Sequence, residues 1–580
     1  MKYAELVALY EELEKTAKRL EKTGALSQFL KKLDDREVEQ VILLLQGRVY
    51  HAWDEREVGV AAQLMVRAIS IATGSTSAQV EKEWKTTGDL GKTAENLISR
   101  KKQATLASTE LSVAKVFDNL RKLAETIGAG SVDRKLNLIA ELMTSAKPKE
   151  ALYIARTVLG QLRIGLGSGV MRDSIVWAYF PDTVPSEENA EREDYKKISD
   201  KVQQAYDLTN DFSVVAVAAK KGEKFLDNIE LQILSPIKVM LAIKADTIAE
   251  CFEIAGTPVE AEYKFDGFRM QIHRKGKKVA VFTRRLDNVS RQFPEVEGYV
   301  KEYVSGDNFI LDAEAVGFDP KTRRYLPFQN ISQRIKRKYD IEKLATELPV
   351  EVNVFDIIAY NGKNIIHEPF RKRREIIEKI VKHVPRKILP APKLVSGNDA
   401  EILKFFRESK AMGNEGIMIK NLGAPYKPGS RVGYMLKYKE TMETLDLAIV
   451  GAEWREGKRS KWLSSFILGC KSDGKFLEIG KAATGLKEKR EEGLSFDEMT
   501  ELLKPLIIEE NGKTVKIKPK IVIEVAFEEI QKSPTYSSGY ALRFPRIISL
   551  RVDKPASEVN TVSEIEKFYA GQRFRKAKVK

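Results

Sequence analysis

The 580-residue sequence holds only two cysteines, Cys251 and Cys470, and no proline before Pro148. Two thiols cannot build a four-cysteine zinc site, and a disulfide framework does not suit a long chain expected in a reducing compartment. No apolar run approaches the ~18 residues that a membrane-spanning helix needs. The start, MKYAELVALYEELEK, is acidic from Glu5 onward and lacks an apolar signal core, so a cytoplasmic protein is expected. There is no internal repeat and no low-complexity tract.

What is present is charge. Of the residues 31% are charged and 43% apolar, and the formal net charge is +15. The apolar fraction is ordinary for a globular protein. The basic excess favours a polyanionic partner, either nucleic acid or an anionic membrane surface, and the missing apolar runs weaken the second. At roughly 100–200 residues per domain the length calls for three or four domains. Abundant Lys and Glu with little Cys is compatible with a thermophilic source.

Residues 1–230 read as all-helical. YAELVALYEELEKTAKRL places Tyr3, Leu6, Leu9, Tyr10 and Leu13 at helical spacing, and RKLNLIAELMTSA and KEALYIARTVLGQL repeat the pattern. After Ser235-Pro236 short alternating runs appear: RMQIHRKGKKVAVFTRR, NFILDAEAVGF and EVNVFDIIAY, with Lys275-Gly276-Lys277 as a hairpin turn. With the helical stretch EPFRKRREIIEKIVKHV between them, residues 231–440 read as a mixed α/β region. From 441 to 580, LDLAIVGAEW, SSFILGCKSDGKFLEIGKAAT and KIVIEVAFEEI suit a small β-barrel. The last fourteen residues, Lys567 to Lys580, carry six basic residues and no acid.

The stretch AEYKFDGFRM sets Lys264, Asp266, Gly267 and Arg269 close together on a strand-like run. A lysine attacks only as the neutral amine, and its ordinary pKa of about 10.4 must be lowered by cations or desolvation. YMLKYKE supplies Lys437 and Lys439 on one strand face. Taken alone, K-x-D-G is more often a solvated strand lysine. FILDAEAVGF puts Asp312 and Glu314 on one face at i, i+2, fit for hydrated Mg²⁺ or a ribose hydroxyl, or equally for a solvated edge strand. NEGIMIKN places Glu415 before an apolar strand that ends at Lys420. Phe355 in VNVFDIIAY suits base stacking, although such a phenylalanine is more often core. GLGSGVMRDSIVWAY follows a helix, so its Gly165, Gly167 and Gly169 lack the context of a dinucleotide fingerprint. They fit a backbone approach to DNA phosphates, or a helix–helix turn. QRIKRKYD and FRKRREII read as solvated faces, some of which line a DNA channel.

In order along the chain, AEYKFDGFR, FTRRLDN, ILDAEAVGF, VFDIIAYNG, NEGIMIK, MLKYK and LRFPRIISLRVDK resemble the motifs of the covalent nucleotidyltransferase superfamily. Their details are similar to those of ATP-dependent DNA ligases of the archaeal and eukaryotic replicative type, over nearly the whole chain. The resemblance implies an all-α N-terminal DNA-binding domain, an α+β nucleotidyltransferase (ATP-grasp-like) adenylation domain and a C-terminal OB-fold β-barrel.

It also implies a role for each matching residue. Lys264 would attack the α-phosphate of ATP and carry AMP, with Asp266 needed in later steps. Glu262 would read the adenine side, Arg269 the ribose and nick phosphate, and Arg284 (or less readily Arg285) the nucleotide and 5′-phosphate. Glu314 would serve ribose or metal, Phe355 would stack on adenine, and Glu415 would be the second Mg²⁺ carboxylate. Lys420 belongs to the same nucleotide-binding set, and Arg431, Lys437 and Lys439 would be phosphate-binding cations. Arg551 and Lys554 would orient the leaving pyrophosphate, which requires a barrel rotation hinged near Tyr438 to Asp446.

The implied partner is nicked duplex DNA, met by a monomer that is cytoplasmic and nucleoid-associated. Gln103 and Leu106 in KKQATLAST match the Q-x-x-L spacing of sliding-clamp peptides without the trailing aromatic pair, and a plain interhelical loop is the alternative. A capping enzyme or RNA ligase would share the lysine but not the long helical region. An NAD-dependent ligase would need the missing cysteines. A DNA-binding scaffold would have no use for the nucleophile.

Overall fold

The structure, a computed structural model, describes the chain except residues 52, 55, 57, 101–109, 129, 185–191, 327, 336, 338, 440–443, 456–460, 489 and 578–580. Chain compactness gives two units. The first contains 1–243, 267–391 and 421–435; the second contains 244–266, 392–420 and 436–580. The division falls inside the K-x-D-G stretch, between Asp266 and Gly267.

The helical part of the first unit runs from the helix Tyr3–Lys15 to the helix Glu223–Asp227. Its apolar stripes close on one core, in which Tyr3, Leu6, Tyr10 and Leu13 are fully buried as their spacing predicts. The chain continues as two helices, Tyr3–Lys15 and Arg19–Leu30, with extended backbone at Thr16 and Lys18 between them. Arg156 and Asp89, both buried, lock two later helices together through a paired contact of 3.1 and 2.9 Å.

The α+β region opens with β1 (Leu241–Ala245) and β2 (Val259–Lys264), followed by β3 (Phe268–Lys275), β4 (Lys278–Thr283), β5 (Asn308–Gly317), β6 (Val350–Tyr360), β7 (Lys363–Asn364) and β8 (Ile388–Pro390). Strands β3 to β8 form a six-stranded sheet in the first unit, ordered β4-β3-β5-β6-β7, with β8 parallel to β6. The expected hairpin turn is there: Gly276 has φ +59, left-handed backbone that glycine adopts without steric cost. The linker after the helices is pinned to this sheet by buried side chains. The Leu234 N–H donates to His273 Nδ1 (3.1 Å) and the Ile237 N–H to Gln271 Oε1 (2.9 Å). Complete burial holds the His273 imidazole down at about 3, so it stays neutral and accepts that bond.

The remaining strands are β9 (Lys393–Ser396), β10 (Gly416–Asn421), β11 (Arg431–Lys439), β12 (Thr444–Trp454), β13 (Leu463–Ser472), β14 (Lys475–Ala482), β15 (Ile507–Asn511), β16 (Thr514–Ile517), β17 (Val522–Ala526), β18 (Glu529–Lys532), β19 (Tyr540–Arg543) and β20 (Arg546–Leu550). A five-stranded sheet has the order β1-β11-β10-β2-β9. The C-terminal part of the second unit is β-rich and OB-like. In its seven-stranded half-barrel sheet, β12 pairs with β13 along one edge and with β16 and β17 along the other. Its core includes Leu447, Phe466, Ile479, Val515 and Val525. Among the described residues no helix is long and apolar enough to cross a membrane.

Candidate active site

In the second unit, β2 buries its first four residues and ends half-buried at Tyr263 and Lys264. The Glu415 N–H donates to the Lys264 carbonyl at 2.8 Å, which sets the start of β10 beside the nucleophile candidate. Gly416 is required there: a Cβ would lie 2.3 Å from the Tyr438 carbonyl oxygen, at φ +155. Glu415 Oε2 then accepts from two amines, Lys264 Nζ at 2.5 Å and Lys439 Nζ at 2.9 Å. Burial pushes the Glu415 carboxyl up, but the two ammonium groups overcome it and hold it at about 2. The amine of Lys439 also meets Glu528 Oε1, from the segment entering β18, at 2.9 Å. Burial lowers the Lys439 pKa, and the two carboxylates more than offset it, so the net shift is upward.

On the same strand Glu262, 2% exposed, pairs with Lys420, 3% exposed, at 2.6 Å. Asp266 lies 3.8 Å from Arg543 of β19, which also faces Glu529 at 3.4 Å. Arg551 and Lys554 both close on Asp446 of β12, at 2.9 and 2.8 Å. Arg551 also binds Asp553 at 2.8 Å. Of the expected hinge, Tyr438 to Asp446, residues 440–443 lie outside the described set.

In the first unit Arg269 leaves β3 toward fully buried Asp312 on β5. Its Nε donates to Asp312 Oδ1 at 2.8 Å, Nη2 donates to Oδ2, and Nη1 donates to the Met240 carbonyl at 2.7 Å. Tyr426 completes the knot: its hydroxyl donates to Asp312 Oδ2 at 2.9 Å and accepts the Met240 N–H at 3.1 Å. Asp312, read with Glu314 as one carboxylate face, is thus held by an arginine and a tyrosine. The guanidinium carbon of Arg269 stands 5.2 Å from the centre of the Phe355 ring, on β6. Glu314 is paired in register with Arg269. Gly267 explains its own identity, since a Cβ would lie 2.4 Å from the Ala315 carbonyl oxygen of β5. Arg284 and Arg285 form the exposed turn after β4, and exposed Arg431 begins β11, which also carries Lys437.

Three arginines of the two basic runs are not surface groups. Arg334 in QRIKRKYD is 1% exposed and binds Glu295 at 2.7 Å. In FRKRREII, Arg373 forms a paired contact with buried Asp356 (2.8 and 3.1 Å), and Arg374 donates to the Val354 and Ala391 carbonyls. Arg373 and Arg374 fix their helix to β6 of the six-stranded sheet and Arg334 ties its helix to the helix Pro294–Tyr303, so none of the three can line a DNA channel. The glycines of GLGSGV lead into the helix Ser168–Tyr179, where Lys22 Nζ donates to the Ile164 and Gly165 carbonyls at 2.6 and 2.9 Å. Gln103 and Leu106 lie outside the described residues. Tyr426, Asp446, Glu528 and Arg543 were not legible as site residues. Each is a single polar side chain whose partners are remote in sequence; only LRFPRIISLRVDK, which contains Arg543, gave a local signal.

A half-buried carboxylate between two lysines, beside a buried Glu–Lys pair that joins β2 to β10, is an arrangement able to present an amine and a cation to a phosphorylated substrate. The sequence matches the families described as "DNA ligase N terminus" over 2–176, "ATP dependent DNA ligase domain" over 239–439 and "ATP dependent DNA ligase C terminal region" over 459–554. It is 45% identical over 578 residues to a DNA ligase of Nanoarchaeum equitans, covering 99% of both chains. It is 40% identical over 583 residues to one of Thermococcus fumicolans, covering 100% of both, and 40% identical over 573 residues to one of Archaeoglobus fulgidus, covering 98% of both. A solved structure, "Pmar-Lig_Pre.", shares the fold at a TM-score of 0.51 and 17% identity, covering 94% of this chain and 99% of that one. The chain belongs to the ATP-dependent DNA ligase family, in its archaeal replicative type.

Proposed function

We propose that this ligase seals nicks in duplex DNA through Lys264. ATP-dependent DNA ligase activity follows from the family, and the residue roles are our reading. The free amine of Lys264 attacks the α-phosphorus of ATP; the P–N bond forms and pyrophosphate leaves. A 5′-phosphate oxygen at the nick then takes the AMP, breaking the P–N bond and returning the lysine. The 3′-hydroxyl finally attacks that 5′-phosphorus and AMP departs. Such transfers need positioning and neutralisation of phosphate charge more than covalent help.

The observation that carries this reading is the shared carboxylate: Glu415 holds both Lys264 and Lys439, a nucleophile beside a cation for the phosphate it attacks. Arg269, Arg284, Arg431, Lys437 and Lys439 bind phosphate and ribose. Glu262, Lys420 and Phe355 hold adenine, Asp266 serves the later steps, and Arg551 and Lys554 orient pyrophosphate. Mg²⁺ is bound mainly through substrate phosphates and supported by one or two protein carboxylates. The carboxylates that would support it are Glu314 on β5 and Glu415 beside Lys264. When bound, the ion would neutralise charge on the transferring phosphate.

The reading keeps three domains, 1–230 for DNA, 231–440 for adenylation and 441–580 as an OB-fold with a basic tail. The enzyme acts as a monomer, cytoplasmic and nucleoid-associated, and reaches a sliding clamp through Gln103 and Leu106. The test is labelling with α-labelled ATP, GTP and NAD in parallel, followed by nicked DNA. Label from ATP that discharges onto the nick is expected. Label from GTP alone, or none, overturns the reading.

A further inference from the structure

We infer that Glu528 is a positioning residue that withholds Lys439 from ATP, so that self-adenylylation begins only when this ion pair opens. The inference rests on the reading of Lys439 as a phosphate-binding cation.

The charges form one chain: Glu528 to Lys439 at 2.9 Å, Lys439 to Glu415 at 2.9 Å, and Glu415 to Lys264 at 2.5 Å. One ammonium group has three protons to donate, and here two carboxylates already claim Lys439. An incoming phosphate competes with both carboxylates for this one positive charge, and gains most of it only by displacing one of them. Glu415 lies just before β10 beside Lys264 and stays with the nucleophile. Glu528 belongs to the C-terminal β-rich part, and it is the partner that can leave. The neighbouring residues make the same connection: Arg543 of β19, paired with Glu529, faces Asp266 two residues after the nucleophile. Two further cations of this part are also engaged, since Arg551 and Lys554 share Asp446. In this arrangement three cations assigned to ATP phosphates are occupied by the chain's own carboxylates. Glu528 is the one that acts beside the nucleophile.

Glu528 and Lys439 are 31% and 20% exposed, so their pairing is partly screened and can be broken by a ligand. Removing the carboxylate should therefore favour the ATP-binding step rather than impair it. The experiment uses the full chain with Glu528→Gln and, as a second variant, Glu528→Ala. It measures the rate of self-adenylylation against ATP concentration, and separately the sealing of a pre-adenylylated nick. Both variants should reach half-maximal self-adenylylation at an ATP concentration lower by about threefold or more. Sealing of the pre-adenylylated nick should not accelerate. In a Lys439→Ala background the Glu528 substitution should have no further effect on ATP dependence. A general packing defect cannot produce a gain at one step. Unchanged or weaker ATP use by the Glu528 variants, with Lys439→Ala strongly impaired, overturns the role of Glu528 alone. Normal self-adenylylation by Lys439→Ala overturns the assignment of Lys439, on which the inference rests.

Discussion

Replacing Lys420 by Met tests the site's internal electrostatics. Its amine lies 2.6 Å from the Glu262 carboxylate, and both residues are at most 3% exposed. At an effective dielectric of about 20, two unit charges at that distance attract by about 6 kcal/mol. Desolvation offsets much of this, but deleting one partner of a buried pair costs about 3–5 kcal/mol, because the other charge stays buried. Glu262→Met in the same chain removes that residual charge, so the double variant should recover about 1–3 kcal/mol relative to additivity. A chain of 580 residues with several cores does not unfold in one step, so a global midpoint is the wrong observable. Amide hydrogen exchange in β2 and β10 reports local opening. There Lys420→Met should speed exchange by roughly a hundred- to several-thousandfold, and the double variant by clearly less. Additive effects, or a single-variant cost below about 0.5 kcal/mol, would refute the reasoning.

Two further predictions concern other parts of the molecule. Arg551→Ala and Lys554→Ala should impair self-adenylylation more than sealing of a pre-adenylylated nick, and equal losses in the two assays would count against their role at pyrophosphate. Burial raises the Asp207 carboxyl to about 6 from an ordinary 3.8, against the opposing pull of Gln203 and Lys238. The folded state therefore holds its proton more tightly, and this group's contribution to stability is fully present below pH 3.8 and is lost as pH rises toward 6. Asp207→Asn should remove that loss, gaining about 1–3 kcal/mol above pH 6 and nothing near pH 4, read as amide hydrogen-exchange protection in the helix Arg192–Thr209. A gain that is the same at both pH values would refute this.

How much of this was legible in the sequence depended on the range of the interaction. The strands carrying Lys264, Glu314, Phe355 and Lys439 were readable from short alternating runs, and the hairpin at Gly276 from its turn residues, because both signals are local. The break at Thr16–Lys18 was hidden because neither a proline nor a glycine marks it. Arg373 and Arg334 looked like surface charge because their partners, Asp356 and Glu295, lie 17 and 39 residues away. Glu528 was illegible for the same reason, being 89 residues from Lys439. The type of a charged residue can be read locally, but its partner is set by the fold.

The central claim is that Lys264 is the residue that carries AMP. The direct measurement is to incubate the full chain with ATP and Mg²⁺, digest it, and locate the AMP adduct by mass spectrometry, with Lys264→Ala in parallel. The account predicts one adduct on Lys264, discharged by nicked DNA and missing from the variant, which still binds DNA. An adduct on another residue, or normal nick sealing by Lys264→Ala, would contradict it.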